Sequence, residues 1–491
     1  MHQKNNLFFL LPAIICSLFF ACNEEKKEAQ PTLKKVINIK ALLNATGGDS
    51  AAFQSPMYYT LEPMQLNFPL PALHSFVFGY YNGYWIFIGG QKGGFHGTSN
   101  NPVPFGPTVA NDSIWVINIS QQKSWSKATA PGWRAVMSAT NSAYCQVGNL
   151  LYMCGGYTAF DSTKHFNITS NVFLEINLAQ MVSIVQSENE NLSVEAAVTK
   201  NIVSPFVQVT GGALLYNSGY FYLVGGQNYN SEYSSGKTGL YTNAIRTFTL
   251  RQGSPWVIAD TSSLVDPVNL HRRDMNVVPG IADNGGSAIL YGGVFTKQDE
   301  AYRAAVFIDS LSKGKPTIKV DSIQQQVNQY ACAVASLADP NIQVAVTSFF
   351  GGISYKMYEK DSGKLVIGDH GIPMPFSNIA STIATGGGVN NSKEYIQVPP
   401  YAPLLPGHIG SNAVFIPMPQ YTMTNNPRVI DVTKIHNDSS GRAMVGYMFG
   451  GIVSKGPTSG TTAKGFVPTY ANPLLYKVYL NYFTQVSRLE L

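Results

Sequence analysis

Charge is scarce in this chain: only 12% of its 491 residues are Asp, Glu, Lys or Arg, and the formal net charge is +5. The small excess is not concentrated, since Lys26-Lys27 and Lys34-Lys35 share a segment with Glu24, Glu25 and Glu28. Without a dense basic face, nucleic acid is not an expected partner. Cysteine is also sparse. Of five residues, Cys16 and Cys22 lie in an apolar N-terminal run, and Cys145, Cys154 and Cys332 remain as an odd number that cannot form a fully paired disulfide framework. With Gly148-Asn149 as the turn of one hairpin, Cys145 faces Tyr152 and not Cys154, so buried free thiols are expected. No CxxC, HxxxH or HExxH spacing occurs, so neither a metal site nor a cofactor is expected. Long helical apolar stripes are missing as well, which leaves no basis for long helices.

What is abundant points to β structure: 45 glycines, 28 prolines and 12% aromatics. Six Gly-Gly pairs each close a short aromatic or aliphatic run, at Gly89-Gly90, Gly155-Gly156, Gly225-Gly226, Gly292-Gly293, Gly351-Gly352 and Gly450-Gly451. Successive first glycines lie 66, 70, 67, 59 and 99 residues apart, longer than a bare four-stranded unit, so each repeat carries inserted loops. The plainer role of each pair is packing, because glycine accepts positive φ and lets neighbouring units approach closely.

In the first repeat, Tyr84 to Ile88 leads into Gly89-Gly90, a polar loop follows, and Asn111 to Ile117 precedes Trp125. The third repeats this with Tyr220 to Val224, Ala244 to Leu250 and Trp256. The pattern resembles the Kelch repeat, in which a strand ends in Gly-Gly, a third strand follows a variable loop and a Trp opens the fourth. The other four repeats keep the glycines and a third strand (Val172 to Ile176, Ala304 to Ile308, Phe376 to Ile383, Leu475 to Leu480) but lack the Trp. The resemblance spans about residues 74 to 491 and implies an all-β, six-bladed Kelch-type β-propeller with long inter-strand loops, taken here as residues 36–491.

Ring closure has two readings. Val478 to Asn481 and Thr484 to Leu491 supply the third and fourth strands of blade six, leaving Val36 to Phe68 as an added strand or a cover; alternatively Val36 to Ile39 completes that blade's outer edge. In the 99-residue interval, Gly386-Gly387-Gly388 reads as a hairpin turn before Glu394 to Val398, and Pro419 to Ser440 as an insertion within blade six, which Gly410 to Pro417 opens.

At the N-terminus, Leu7 to Cys22 is too short for a spanning helix and reads as a secretory signal. Leu18-Phe19-Phe20-Ala21-Cys22 resembles a bacterial lipobox. It implies cleavage after residue 21, acylation of Cys22 and a flexible tether over residues 22–35. Asn23 after the cysteine, and Glu24-Glu25, favour an outer-membrane and cell-surface address in a Gram-negative bacterium. The expected partners are outer-membrane lipid through Cys22, another envelope protein or complex, or a glycan.

In such a ring the loops after Gly-Gly and the entrances to each first strand meet at one end of the axial channel. Candidate binding residues at these entrances are His74, Arg134 beside Trp133, His271, Arg272, Arg273, Asp274, Tyr330 and His408. Two arginines there suit a carboxylate or sulfate, with Asp274 orienting one of them, while the plainer reading is an ion network between blades. Two enzyme classes resemble this architecture. A galactose-oxidase-like copper centre would need a Cys–Tyr bond and His ligands, yet the cysteines fall in strands and His96, His165 and His370 are scattered. A sialic-acid-mutarotase-like enzyme would need a carboxylate and an arginine beside a sugar. The expected function is a non-catalytic binding or assembly module, an accessory subunit of an outer-membrane transport, secretion or assembly complex, with a glycan-binding or sugar-processing propeller as the alternative.

Overall fold

Six sheets stand around a common axis, because all but one of the blade strands find their partners two to thirty residues away in the chain. The structure, a computed structural model, describes residues 35–44 and 55–486, except 96–104, 107, 162–165, 232, 234–238, 281–285, 299, 369–373, 436–440, 458–459, 463–464 and 483–484. The expected signal segment, the expected tether up to residue 34 with Cys22, and the histidines at 96, 165 and 370 lie outside the described residues.

Blade one is Val77–Tyr81, Tyr84–Ile88, Ser113–Asn118 and Lys123–Ala128. Blade two is Ala143–Val147, Leu150–Cys154, Val172–Asn177 and Val198–Val203. Ala213–Asn217, Tyr220–Val224, Ala244–Arg251 and Val257–Val265 form blade three. Asn276–Pro279, Ala288–Tyr291, Ala304–Asp309 and Thr317–Gln324 form blade four. In blade five the order is Ala333–Ala338, Ala345–Phe350, Ala380–Thr385 and Ser392–Gln397, so the third strand starts later than the expected Phe376. The second strands of blades one to three are buried on nearly every residue, with a neighbouring blade on each face.

Blade six corrects the expected closure. His408–Pro417, Arg442–Ser454 and Leu475–Tyr482 are its inner strands, and its outer strand is Met57–Pro63, paired from Met57 with Tyr482 to Pro63 with Tyr476. The tail expected there does something else: Gln485–Val486 pairs with Lys35–Val36 in a separate two-stranded sheet. The physical reason is the strict alternation of the N-terminal strand, which buries Met57, Tyr59 and Leu61 while Tyr58, Thr60 and Glu62 face outward. Gln397 of blade five holds the strand further, its side chain accepting from Tyr59 N and donating to Tyr59 O, each at 2.8 Å.

The Gly-Gly pairs mark the upper end of each blade, and the hairpins between first and second strands mark the lower end. Each first glycine meets the backbone of the next blade. A Cβ on Gly155 would sit 1.9 Å from Val209 O, and one on Gly351 would sit 1.9 Å from Ile409 O, with both glycines at positive φ. No side chain fits such a contact. In the same junctions Gly156 N donates to Val209 O at 2.9 Å and Gly352 N to Ile409 O at 2.8 Å.

The insertion after Pro417 folds into a hairpin, Thr422–Met423 with Asn426–Asp431, and the second arm runs parallel to Ala333–Ala338 at the inner edge of blade five. That inner strand is rich in alanine, which leaves room for Val429 and Ile430 to be buried beside it. Arg428 on the hairpin lies near enough to Tyr144 and Cys145 of blade two to counter the upward pKa shift that burial gives them. The channel is thus occupied between blade five and its opposite. Among the described residues the longest helix is Leu178–Gln186, capped by Asn177 and packed through Leu178 over Gly79 of blade one.

Candidate functional site at the channel mouth

The upper end of the channel is bounded by a closed circle of backbone hydrogen bonds, one residue per blade. Ser75 N donates to Asn412 O, Asn141 N to Ser75 O, Gly211 N to Asn141 O, Asp274 N to Gly211 O, Ala331 N to Asp274 O, and Asn412 N to Ala331 O, at 2.5 to 3.3 Å. All six residues have positive φ, from 37° to 67°. In that conformation the N–H and C=O of one residue point to its two neighbours around the circle. Asn, Asp and Gly tolerate it best, and they hold four of the six places.

One ion pair sits on this circle. Asp274 accepts from Arg273 Nη1 and, through Oδ1, from Asn141 Nδ2 at 3.0 Å. Gly211 makes the space, since a Cβ there would lie 2.9 Å from Asp274 Oδ1. Burial works against the Arg273 charge, but Asp274 and the surrounding tyrosines outweigh it and hold the guanidinium firmly protonated. The Arg273 guanidinium also lies 5.1 Å from the centre of the Phe295 ring. Tyr233, Tyr241 and Tyr330 stand within electrostatic range of the pair, and burial drives the pKa of each phenol upward. Tyr157 and Tyr229 pack edge to face at 5.4 Å, and Phe105 meets Tyr157 at 5.1 Å and Tyr233 at 4.9 Å. The mouth is therefore a self-neutralised charge pair under a collar of aromatic rings.

Of the residues expected at the entrances, Arg273, Asp274 and Tyr330 come together. Arg272 points elsewhere. It is 1% exposed, donates through Nη1 to Gly292 O and Ala304 O at 3.0 Å, and stacks on Tyr302 at 4.3 Å inside the upper part of blade four. Burial lowers its pKa to about 10. His271 stacks on Tyr241 with ring centres 4.0 Å apart, and its Nδ1 is 2.7 Å from Asn243 Oδ1. His74 is buried, with Nδ1 2.9 Å from the Ser75 hydroxyl, and burial lowers its pKa to about 4. His408 is paired with Ser454 across blade six, and burial lowers its pKa to about 4 as well. Arg134 lies on a short helical turn beside Asp112, 3.8 Å away and half exposed. It is on the outer rim.

Asn141 and the hydrogen-bonded circle were not among the residues read from sequence; Tyr233, Tyr241 and Phe295 lie in loops after Gly-Gly that were expected at this end, Gln227 to Thr242 and Phe295 to Arg303, but were not singled out. A second repeat would have found the circle: Ser75, Asn141, Gly211, Asp274 and Ala331 each stand two residues before the first strand of blades one to five. The three described cysteines are buried free thiols, and Cys145 lies opposite Tyr152. Among the described residues no group of three or more His, Cys, Asp or Glu is placed to hold a metal ion. The larger of two described cavities, about 160 Å³, opens at the lower ends of blades four and five and is lined by Phe307, Lys319, Gln343 and Gly386 to Gly388.

No family model matches the chain. No curated protein matches it either. Solved structures do: one described as "Structure of YjhT" has 12% sequence identity, a TM-score of 0.46, and an alignment covering 82% of this chain and 99% of that one.

Proposed function

We propose that the protein is a non-catalytic binding or assembly module, a Kelch-type propeller carried on the outer membrane as a lipoprotein acylated at Cys22 and facing the cell surface. In this reading it serves as an accessory subunit of an outer-membrane transport, secretion or assembly complex. The observation that carries it is the mouth itself. Its two charged groups, Arg273 and Asp274, are paired with each other and Asn141 donates to the carboxylate, while the rim is built of tyrosine and phenylalanine, residues that give large contact area at low entropic cost. A catalytic pair needs a group free to exchange a proton with substrate, and this pair is locked.

A second reading, a glycan-binding or sugar-processing propeller, is favoured by the placement of a carboxylate and a guanidinium beside aromatic faces on which a sugar ring could stack. A gentle-detergent pull-down of the lipidated protein from outer membranes separates the two. Stoichiometric recovery of an envelope protein, reduced by Tyr233→Ala, supports the assembly reading; isolation of the protein alone together with hits on a glycan array overturns it.

A further inference from the structure

The N-terminal arm is fastened to the lower end of the ring. Lys35–Val36 pairs with Gln485–Val486 just past the lower end of the third strand of blade six. Ile39 and Leu42 are then each 1% exposed within the shared core of blades five and six, and the Tyr395 hydroxyl donates to Leu42 O. Leu43 lies against Gly386 in the lower hairpin of blade five, where a Cβ would come within 3.1 Å of it. The closing strand also starts at this end, with Met57 beside Tyr482. Lys35, the first described residue, therefore stands at the lower end of the propeller, on the side opposite the aromatic mouth.

Twelve residues lie between Cys22 and Lys35, thirteen chain steps in all (35 − 22 = 13). Even fully extended they span at most about 45 Å. A domain of this size has a radius of gyration of about 22 Å, so the ring is wider than the tether is long. A domain held by so short a leash at its lower end cannot turn over freely.

We propose that in the anchored protein the lower ends of blades five and six rest against the bilayer surface, and that the upper mouth is held facing away from it. The inference rests on the acylated-Cys22 reading. Exposed Lys40 on the arm and exposed Lys313 and Lys315 in the lower connection of neighbouring blade four can meet anionic lipid headgroups, but exposed Lys297, Lys360 and Lys364 lie at the upper end, so the leash and not charge sets the orientation.

The test uses the lipidated full-length protein in vesicles of phosphatidylethanolamine and phosphatidylglycerol carrying a headgroup-attached quencher. The three native thiols with described positions are buried, so a single introduced cysteine can be labelled selectively. Lys315→Cys puts a fluorophore at the lower end of blade four, and Lys297→Cys puts one in its upper loop. The lower label should be quenched at least about threefold more than the upper. Leu42→Asp should release the arm, lengthen the leash to 35 chain steps (57 − 22 = 35), and bring the two labels toward equal quenching, with the fold checked by circular dichroism. Equal or reversed quenching in the acylated wild-type background overturns the orientation alone, as does a ratio unchanged in folded Leu42→Asp. A mature protein whose mass shows no acyl chains overturns both the orientation and the anchor on which it rests.

Discussion

Blades one to four and blades five to six solve the same packing problem in different ways. The first four are built from consecutive chain, their strands joined in simple order and their glycine pairs 59 to 70 residues apart. Blades five and six take strands from elsewhere. Blade five gains an inserted hairpin at its inner edge, and blade six takes its outer strand from near the N-terminus, about 400 residues away in sequence. Four blades repeat a local rule, and the last two carry the non-local work of closing the ring, occupying the channel and receiving the arm. The two regions should therefore respond differently to change, the junctions everywhere through local sterics and blade six through contacts of long sequence separation.

The largest effect is expected at the junctions. Gly351→Val places a side chain where a Cβ is already 1.9 Å from a carbonyl of blade six, at positive φ, and the cost should exceed about 4 kcal/mol, enough to abolish soluble folded protein. Gly155→Val should do the same at the junction of blades two and three. Gly148→Ala is the control: it also has positive φ, but nothing lies within 4 Å of its Cβ, so about 1 kcal/mol is expected. Denaturant melts of the three variants check this, and a mild Gly351→Val would remove the junction argument for every blade.

Next comes closure. Tyr59 is 1% exposed, packs edge to face on Phe350 at 5.0 Å and shares a hydrogen bond with Ser348 at 3.1 Å. Tyr59→Ala should cost about 3 to 4 kcal/mol, against less than about 1 kcal/mol for outward-facing Tyr58→Ala. Equal costs, read from urea midpoints, would mean that the N-terminal strand does not close the ring.

These contrasts show how much was legible beforehand. The glycine pairs, the third strands of blades one to four and the Gly386 to Gly388 turn follow from local pattern, which a single repeat can display. The closing strand does not. Met57, Tyr59 and Leu61 alternate plainly enough, but nothing local says that the partner is Leu475–Tyr482, and the tail offered a nearer candidate. At the mouth, Arg273 and Asp274 stood out by charge. Asn141 and Tyr241 did not, because each matters only through a neighbour contributed by another blade. Arg272 and Arg273 are adjacent in sequence, yet the chain before the first strand of blade four sends one side chain into that blade and the other toward Asp274 on the circle.

A smaller effect is expected at the ion pair. Asp274→Ala leaves the Arg273 charge partly buried without its carboxylate and should cost about 2 to 3 kcal/mol, whereas the double substitution Arg273→Met with Asp274→Ala should recover part of that loss. Thermal melts of the two single variants and the double variant complete the cycle. If the pair serves only to neutralise the mouth, the double variant should also retain its envelope partner in the pull-down, while Tyr233→Ala should lose it.

The smallest contrast concerns pH and sets the entrance of blade one against the outer strand of blade five. His74 has its pKa lowered from 6.5 to about 4 by burial. Between these values the unfolded chain binds a proton that the native protein refuses, so this residue makes stability rise with pH across the window and level off above 6.5. Glu394 is raised from 4.5 to about 7, mainly by burial, despite accepting from Gln326 N at 2.6 Å and Val327 N at 3.2 Å. Here the native protein keeps a proton that the unfolded chain has lost, so stability falls as pH rises from 4.5 to 7. The two slopes oppose each other over their shared range and leave the wild-type profile shallow. His74→Gln removes the rising limb and should expose the falling one, steepening the loss of stability between pH 4.5 and 6.5 by on the order of 2 kcal/mol. Glu394→Gln should do the opposite and leave a profile that climbs through the same interval. Urea midpoints at half-unit pH steps separate the cases, and two parallel profiles would show that neither group titrates from its buried state.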